Sequence, residues 1–323
     1  QPTISDADIH LGRIDPDYFA GGRVKLMPDL SSLAIERIVA KPLGIPTQMA
    51  ALGVTEMVDE TMANAARVHA VERGYDARDH ALIAFGGAAP LHVGRIAEKL
   101  NISKIVIPTN AGVGSAIGFL RAPVAYEVVR SRNTFLRDLD SQVINSLMNE
   151  MQAEAMSVVQ AGAPNEKIIE HRVAFMRYAG QGHEIVVPIP IRNLSQDDID
   201  ILQKSFDFEY KKLYDRTLPN ADVEILTWAL TASTKETMPS VVTECKEFFK
   251  PEPRELKPIF DPAYGKDIQI PLYWRPDLYP GCSIQGPALI VEDETSSFVP
   301  TSFDAQVANN HYIILDRKDE AKK

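Results

Sequence analysis

The sequence predicts an α/β lobe followed by a mixed α+β, mostly β, C-terminal region. Two observations predict the lobe: between Leu82 and Leu120 an apolar strand twice runs through a glycine turn into a helix. The short apolar segments from Ile168 onward predict the β-rich region. We therefore expect an entry loop and the lobe over residues 1–135, a connecting helix over 136–165 and the β-rich domain over 166–323.

Composition narrows the class of protein. A chain of 323 residues can hold two cores, and its net charge of −10, without a basic stripe, argues against a nucleic-acid partner. No apolar run approaches the roughly 20 residues that cross a bilayer, and no signal peptide is seen, so no membrane partner is expected. Two cysteines indicate a reducing, cytoplasmic compartment. The chain begins at Gln1 rather than Met, as expected for a processed, split or excised polypeptide.

The N-terminal elements follow from helical periodicity and turn residues. Residues 1–30 are expected to form an entry loop, followed by a short helix over 31–39. Residues 47–73 carry the strongest helical pattern and end at Gly74. The predicted core face of this helix consists of Met49, Val54, Met57, Val58, Met62, Ala65, Ala66 and Val68. We interpret its methionines as core residues rather than as a binding groove.

The two glycine turns indicate an anion site. The first strand ends at Gly86-Gly87, and Ala88-Ala-Pro90 opens a helix; the second strand, Lys104–Pro108, leads through Asn110–Gly118 into another helix. Backbone N–H groups at such turns and the positive ends of the helices favour a nucleotide phosphate. Either turn alone is more often a packing feature, but two turns about 25 residues apart favour a nucleotide.

The pattern matches neither of two common nucleotide-binding motifs. No Gly-x-Gly-x-x-Gly fingerprint follows a strand, and no Gly-Lys-Ser/Thr occurs anywhere in the chain. What remains is the adenosine-side lobe of an actin-like (ribonuclease H-like) or sugar-kinase-like ATPase.

The remaining elements alternate helices and strands. The predicted helices span 138–162 and 196–215, the latter capped by Ser195. The predicted strands span 168–177, 185–191, 223–233, 288–292 and 312–316. The proline-rich stretch over 251–287 is expected to be extended and irregular.

Several polar residues are candidates for chemistry. His92 lies in the first turns of the helix that opens at Ala88, where a phosphate-binding or general-acid role and a packing or capping role are both open. Asp6, Asp8, Asp15 and Asp17 offer carboxylates for Mg²⁺, although loop acids are usually just solvated. No Cys/His cluster has zinc spacing, so no metal held by the protein alone is predicted.

The motifs around the first turn resemble those of a known family. Glu72-Arg-Gly-Tyr-Asp76-Ala-Arg-Asp79, followed by Ala84-Phe-Gly-Gly-Ala-Ala-Pro-Leu-His92, closely resembles hydantoinase A/oxoprolinase-type subunits. Their usual form is Glu-Arg-Gly-x-Asp-Pro-Arg-Asp, then Ala-Phe-Gly-Gly-Ala-Gly-Pro-Leu-His, so Ala89 replaces the usual glycine. Pro2–Ala7, Leu11–Pro16, Leu278–Gly281 and Gly286–Glu292 resemble further segments of the same family.

The resemblance covers the C-terminal half of the family's ATP-dependent subunit. It implies ATP with Mg²⁺ or Mn²⁺ as cofactor, a small carbonyl substrate, a polypeptide that carries the missing N-terminal ATPase lobe, and a second large subunit of the hydantoinase B type. The expected nucleotide-binding residues are Gly86, Gly87, Ala88, Gly112, Gly114 and Ser115. His92 and Asp6 are the candidate catalytic residues.

The resemblance also implies a reaction class. Members of the family use ATP to phosphorylate a carbonyl oxygen, and then either carboxylate a ketone or open a cyclic amide. Residues 112–130 look more like the acetone and acetophenone carboxylase branch, which we therefore expect. The alternatives are an ATP-dependent hydantoinase, 5-oxoprolinase or lactamase, and a structural docking half whose nucleotide cleft is empty.

Overall fold

The computed structural model describes residues 1–235, 245, 247–261 and 265–318. The helices are α1 (Ile4–His10), α2 (Pro28–Ile35), α3 (Lys41–Leu43), α4 (Thr47–Glu72), α5 (Ala89–Leu100), α6 (Gly114–Arg121), α7 (Ser141–Gly162) and α8 (Asp198–Tyr214). The strands are β1 (Leu82–Ile83), β2 (Lys104–Ile107), β3 (Ala125–Phe135), β4 (Ile168–Tyr178), β5 (Ile185–Pro188), β6 (Val223–Thr234), β7 (Glu255–Asp261), β8 (Lys266–Trp274), β9 (Ser283–Gln285), β10 (Ala288–Val291), β11 (Ser296–Val299), β12 (Phe303–Val307) and β13 (Ile313–Arg317). Across these described ranges, no helix combines the length and the hydropathy that a bilayer crossing requires.

The chain divides into two compact units. The first contains residues 1–120 and 240–323, and the second contains residues 121–239. Unlike the contiguous division expected from sequence, the chain enters the second unit and then returns to complete the first. The return is imposed by strand pairing, because β13 pairs antiparallel with β2 in one sheet.

The first unit contains two sheets. One has the order β1-β2-β13-β12-β9, with β1 and β2 parallel, and the other has the order β11-β10-β8-β7. In β2, Ile105 and Ile107 alternate with more exposed neighbours and pack into a core with Phe303 and Leu315. Helix α5 buries Val93 and Ile96 against the same core. This packing places the start of α5 close to the loop that joins β10 to β11, where the hydroxyl of Thr295 contacts the carbonyl oxygen of Gly87.

The second unit is one antiparallel sheet, β3-β6-β4-β5, packed on α7 and α8. Its core contains the fully buried side chains of Trp228, Phe206, Met148 and Met176. Asp140 begins α7 because its carboxylate accepts hydrogen bonds from the backbone N–H groups of the first turn, at Gln142 and Val143.

The predicted helix over 47–73 is confirmed as α4, but its predicted core face is wrong. Met49, Met57, Met62 and Val68 are 48%, 75%, 37% and 48% exposed. The buried face instead consists of Ala50, Ala51, Thr55, Asp59 and Ala63. Small side chains allow α4 to pack closely on α1 and α5, so the methionines point outward even though their period is helical.

The prediction of irregular chain over 251–287 is also wrong, because this stretch contains β7, β8 and β9. Pro258 lies in β7, an edge strand, where the missing N–H interrupts no second ladder. Pro271 precedes the residues of β8 that pair with β10, which begin at Leu272. Both prolines therefore occupy positions where a strand tolerates the loss of one donor.

Candidate functional site

A cavity of about 380 Å³ opens in the first unit beside the start of α5. Its walls come from α1, residues 14–20, α4, the turn before α5 and the loop between β10 and β11. The volume is within the range of small-molecule sites, roughly 300–1,000 Å³. The wall is mainly apolar, with side chains such as Ile14, Val58 and Met62. Its acidic residues are Asp8 and Asp15 on the N-terminal side and Glu292, Asp293 and Glu294 at the β10–β11 loop.

The turn before α5 brings backbone groups to this cavity. Gly87 and Ala88 line it, and the hydroxyl of Thr295 donates a 2.6 Å hydrogen bond to the carbonyl oxygen of Gly87. Ala88 is the N-cap residue and offers no side-chain acceptor, while Pro90 occupies the first turn without an N–H. The positive end of α5 is thus left without a side-chain cap at the cavity wall.

Among the other glycines of the two turns, Gly86 allows a backbone conformation, and Gly112 and Gly114 allow close contacts. The N–H of Gly86 donates to the carbonyl oxygen of Ala111 at 2.9 Å, and its φ of +110° is a conformation that favours glycine. A Cβ at Gly112 would lie 2.6 Å from the carbonyl oxygen of Glu294, and one at Gly114 would overlap the ring of Phe85. The second turn therefore packs directly against the first turn and the β10–β11 loop.

The structure brings some of the predicted site residues together. Gly87, Ala88 and His92 line the cavity. Gly86, Gly112, Gly114 and Ser115 are not among its lining residues within the described ranges, and their role in nucleotide binding stays a prediction.

Asp6, a predicted catalytic residue, lies outside the cavity lining and closes the first turn of α1. Its carboxylate accepts hydrogen bonds from the N–H of Thr3 at 2.7 Å and from the hydroxyl of Ser31 at 2.6 Å. Burial raises the pKa of Asp6, but these hydrogen bonds outweigh burial and lower it overall. A carboxylate so engaged explains the local fold; its catalytic role stays a prediction.

His92 lies in a buried charge cluster formed by Asp8, Arg13, Asp59 and His92, which we call the α5 charge cluster. His92 Nε2 lies 3.3 Å from Asp8 Oδ2, and Nδ1 lies 2.9 Å from Asp59 Oδ1. The guanidinium of Arg13 lies 3.5 Å from the other oxygen of Asp8. Burial lowers the pKa of His92, but the carboxylates of Asp59 and Asp8 outweigh burial and raise it to about 9. His92 is therefore a cation at neutral pH.

Two further carboxylates at the cavity, those of Glu292 and Asp293, have partners. Glu292 Oε1 lies 2.6 Å from Arg275 Nη1, and both side chains are about nine-tenths buried. Burial raises the pKa of Glu292 despite this pair. Asp293 accepts a 3.0 Å hydrogen bond from the Tyr18 hydroxyl.

No Lys or Arg is among the residues that line the cavity in the part of the chain that the structure describes. Nor do the described residues contain a group of three or more His, Cys, Asp or Glu side chains that could hold a metal ion. The cavity wall thus offers apolar contact, backbone amides and hydrogen-bond acceptors rather than a ready-made phosphate or metal site.

Sequence reasoning missed Asp59. The residue lies inside α4 between Val58 and Glu60, and the predicted core face is the one that carries the methionines, not the one that Asp59 shares with Thr55 and Ala63. The available signal was an acidic residue in a row of small residues spaced by four, which is the spacing of one buried helix face.

Comparison with known proteins identifies the family. The model described as Hydantoinase/oxoprolinase matches residues 1–128, and the model of the Hydantoinase/oxoprolinase C-terminal domain matches residues 136–318. An uncharacterized protein of Methanocaldococcus jannaschii is 32% identical over 98% of this chain and 45% of its own length. Caprolactamase subunit alpha of Pseudomonas jessenii is 30% identical over 93% and 44%, and acetone carboxylase beta subunit of Xanthobacter autotrophicus is 27% identical over 94% and 44%.

Two solved structures share the fold. Nucleotide-free acetone carboxylase matches with a TM-score of 0.78 at 23% identity, covering 98% of this chain and 46% of that one. The ATP-dependent caprolactamase of Pseudomonas jessenii matches with a TM-score of 0.74 at 27% identity, covering 98% and 47%. The predicted α/β fold class is confirmed, and an actin-like ATPase lobe is consistent with these matches. The chain spans a little under half the length of the relatives and solved structures named here, and it belongs to the hydantoinase/oxoprolinase family.

Proposed function

We propose that this chain supplies the adenosine-side wall of the ATP site of an ATP-dependent enzyme in this family. The observation that carries the proposal is the 380 Å³ cavity in which the uncapped start of α5 faces the β10–β11 loop. The descriptions of both solved relatives name an ATP-dependent reaction or enzyme, which supports a nucleotide as the ligand.

The chemistry of the wall favours the nucleoside over the triphosphate. Apolar side chains such as Ile14 and Met62 suit a planar base, and the carboxylates of Asp293 and Glu294 are acceptors for ribose hydroxyls. Without Lys or Arg in the lining of the described cavity, the phosphates need cations from elsewhere. We assign that task to the polypeptide with the N-terminal ATPase lobe and to the Mg²⁺ or Mn²⁺ that accompanies ATP.

For the reaction we propose a ketone carboxylase of the acetone or acetophenone type, in which ATP activates the carbonyl substrate or bicarbonate by phosphorylation. The resemblance of residues 112–130 to that branch supports this choice, as does the match with acetone carboxylase. A hydantoinase B-type subunit would carry the later chemistry, in a complex located in the cytoplasm.

The second candidate is ATP-dependent opening of a cyclic amide. It is favoured by the 30% identity to caprolactamase subunit alpha, slightly above the 27% identity to the acetone carboxylase subunit. Both candidates require the same nucleotide wall, so the proposed cavity does not depend on the choice between them.

Calorimetry with ATP and AMP on the assembled complex tests the nucleotide wall. We expect Gly87→Val to weaken binding at least tenfold, because its side chain would enter the cavity while its Cβ meets only the Glu294 carbonyl oxygen at an ordinary 3.7 Å. Gly118→Val is the matched control, since nothing lies within 4 Å of its Cβ. Unchanged affinity in Gly87→Val would refute the site, and no binding by the wild-type complex would support a docking half with an empty cleft.

Turnover assays distinguish the two reactions. The complex is given ATP with acetophenone or acetone, with and without bicarbonate, and in parallel with hydantoin, 5-oxoproline or caprolactam. The carboxylase proposal predicts ATP hydrolysis that requires both ketone and bicarbonate. Turnover of a cyclic amide without bicarbonate would contradict it and favour the second candidate.

A further inference from the structure

The α5 charge cluster determines the net charge that lies behind the cavity wall at the start of α5. Asp8 and Asp59 are 1% exposed and His92 is 3% exposed, so all three are removed from water. They come from three different helices, α1, α4 and α5, and meet at the first turn of α5. Charges held so far from solvent must balance one another, because isolated buried charges are strongly disfavoured.

The charges of the cluster sum to zero only when the His92 ring is protonated. Asp8 and Asp59 contribute two negative charges, and Arg13 with a protonated His92 contributes two positive charges. A neutral His92 would leave a net negative charge behind a wall that already carries Asp15, Glu292, Asp293 and Glu294 around the cavity. Only Arg13 and His92 face the two buried carboxylates as cations in the contacts of the described residues.

The geometry also restricts what His92 does. Each ring nitrogen faces a carboxylate, so neither is directed at a ligand in the cavity. The N–H at Nδ1 is not aligned for a hydrogen bond with Asp59 Oδ1 despite the 2.9 Å distance. The attraction between these two groups is therefore mainly one of charge, and an amide of the same shape at position 59 would not replace it.

We propose that Asp59 is a positioning residue that holds His92 as a buried imidazolium, so that the first turn of α5 presents a neutral rather than an anionic wall to ATP. The inference rests on the proposed nucleotide site. Asp59 is not among the residues that line the cavity, and it acts through His92. The raised pKa of His92, about 9, agrees with this arrangement.

The substitution Asp59→Asn tests the proposal, with Glu60→Gln as matched control. Glu60 is the next residue on α4, and its exposed carboxylate pairs with Lys99 at the surface. Two quantities are measured: the titration midpoint of His92 in the full chain, by NMR of ¹³C-labelled histidine, and the ATP affinity of the assembled complex between pH 6 and 8. Loss of a facing carboxylate lowers a histidine pKa by about one to three pH units.

We expect Asp59→Asn to lower the titration midpoint of His92 to about 7. The protonated fraction of His92 in each protein then predicts how its ATP affinity changes with pH. At pH 6 the ring is protonated in both proteins, so the variant should bind ATP like the wild type. At pH 8 it should bind about tenfold more weakly, because most of its rings have lost the proton. Glu60→Gln should follow the wild type at both pH values. A purely structural role of Asp59 would weaken binding equally at pH 6 and pH 8.

An unchanged His92 midpoint, or an Asp59→Asn affinity with the same pH dependence as the wild type, would overturn the inference while ATP binding itself persists. Absence of ATP binding by the wild-type complex at every pH would instead overturn the proposed function, and the inference with it. The two failures are therefore distinguishable.

Discussion

Raising the pH from 6 to 9.5 should destabilise the first unit by about 3 kcal/mol through His92. The pKa of this ring is about 9 in the folded chain against 6.5 for an unperturbed histidine. One pKa unit corresponds to about 1.4 kcal/mol, which gives the value of about 3 kcal/mol. Because the folded pKa is raised, this stability is fully present below pH 6.5 and is lost as the pH rises through 9.

The assay is urea unfolding followed by fluorescence. The chain has two tryptophans, Trp274 in the first unit and Trp228 in the second, so a Trp228→Phe background reports on the first unit alone. The free energy of unfolding is compared between this protein and its His92→Gln variant at both pH values. We expect the difference to shrink by about 3 kcal/mol between pH 6 and pH 9.5. A substitution of the exposed His183 is the control, and a difference that stays constant with pH would refute the reasoning.

Three further predictions concern packing and charge elsewhere. Arg275→Met should destabilise the first unit by about 3–5 kcal/mol in urea unfolding, because it leaves Glu292 buried without its cation; a loss below about 1 kcal/mol would contradict this. Gly112→Ala should lower the melting temperature, with a loss of about 1–3 kcal/mol, since its Cβ would meet the backbone of Glu294; an unchanged melting temperature would show that the loop yields freely. Asp140→Ala should cost about 1 kcal/mol in the second unit, measured by Trp228 fluorescence, through loss of the α7 cap; equal stability would exclude a capping role.

Local rules predicted most elements but not their partners. The helix at Thr47–Glu72 and the strand at Val223–Thr234 follow from periodicity and residue type, and the structure places both within a residue or two of the expectation. The pairing of β13 with β2 joins residues about 200 positions apart, and no local pattern specifies it. For the same reason, the return of the chain into its first unit could not be read from composition.

The sequence predicted the part of the site that depends on a backbone turn, but not the part that depends on which side chains are buried. Gly87 and Ala88 predict the turn before α5, and both residues line the cavity. The partners of His92 depend on which face of α4 is buried. The apolar methionines predicted the wrong face, because they point outward. The binding role of Gly112 stays a prediction, and its close approach to Glu294 is a packing requirement that sequence alone does not separate from binding.

The most direct test of the nucleotide site is a structure of the assembled complex with a non-hydrolysable ATP analogue. We expect the adenosine in the cavity of the first unit, between the Gly87–Ala88 turn and the loop that contains Thr295. Adenosine bound elsewhere, with this cavity left unoccupied, would contradict it.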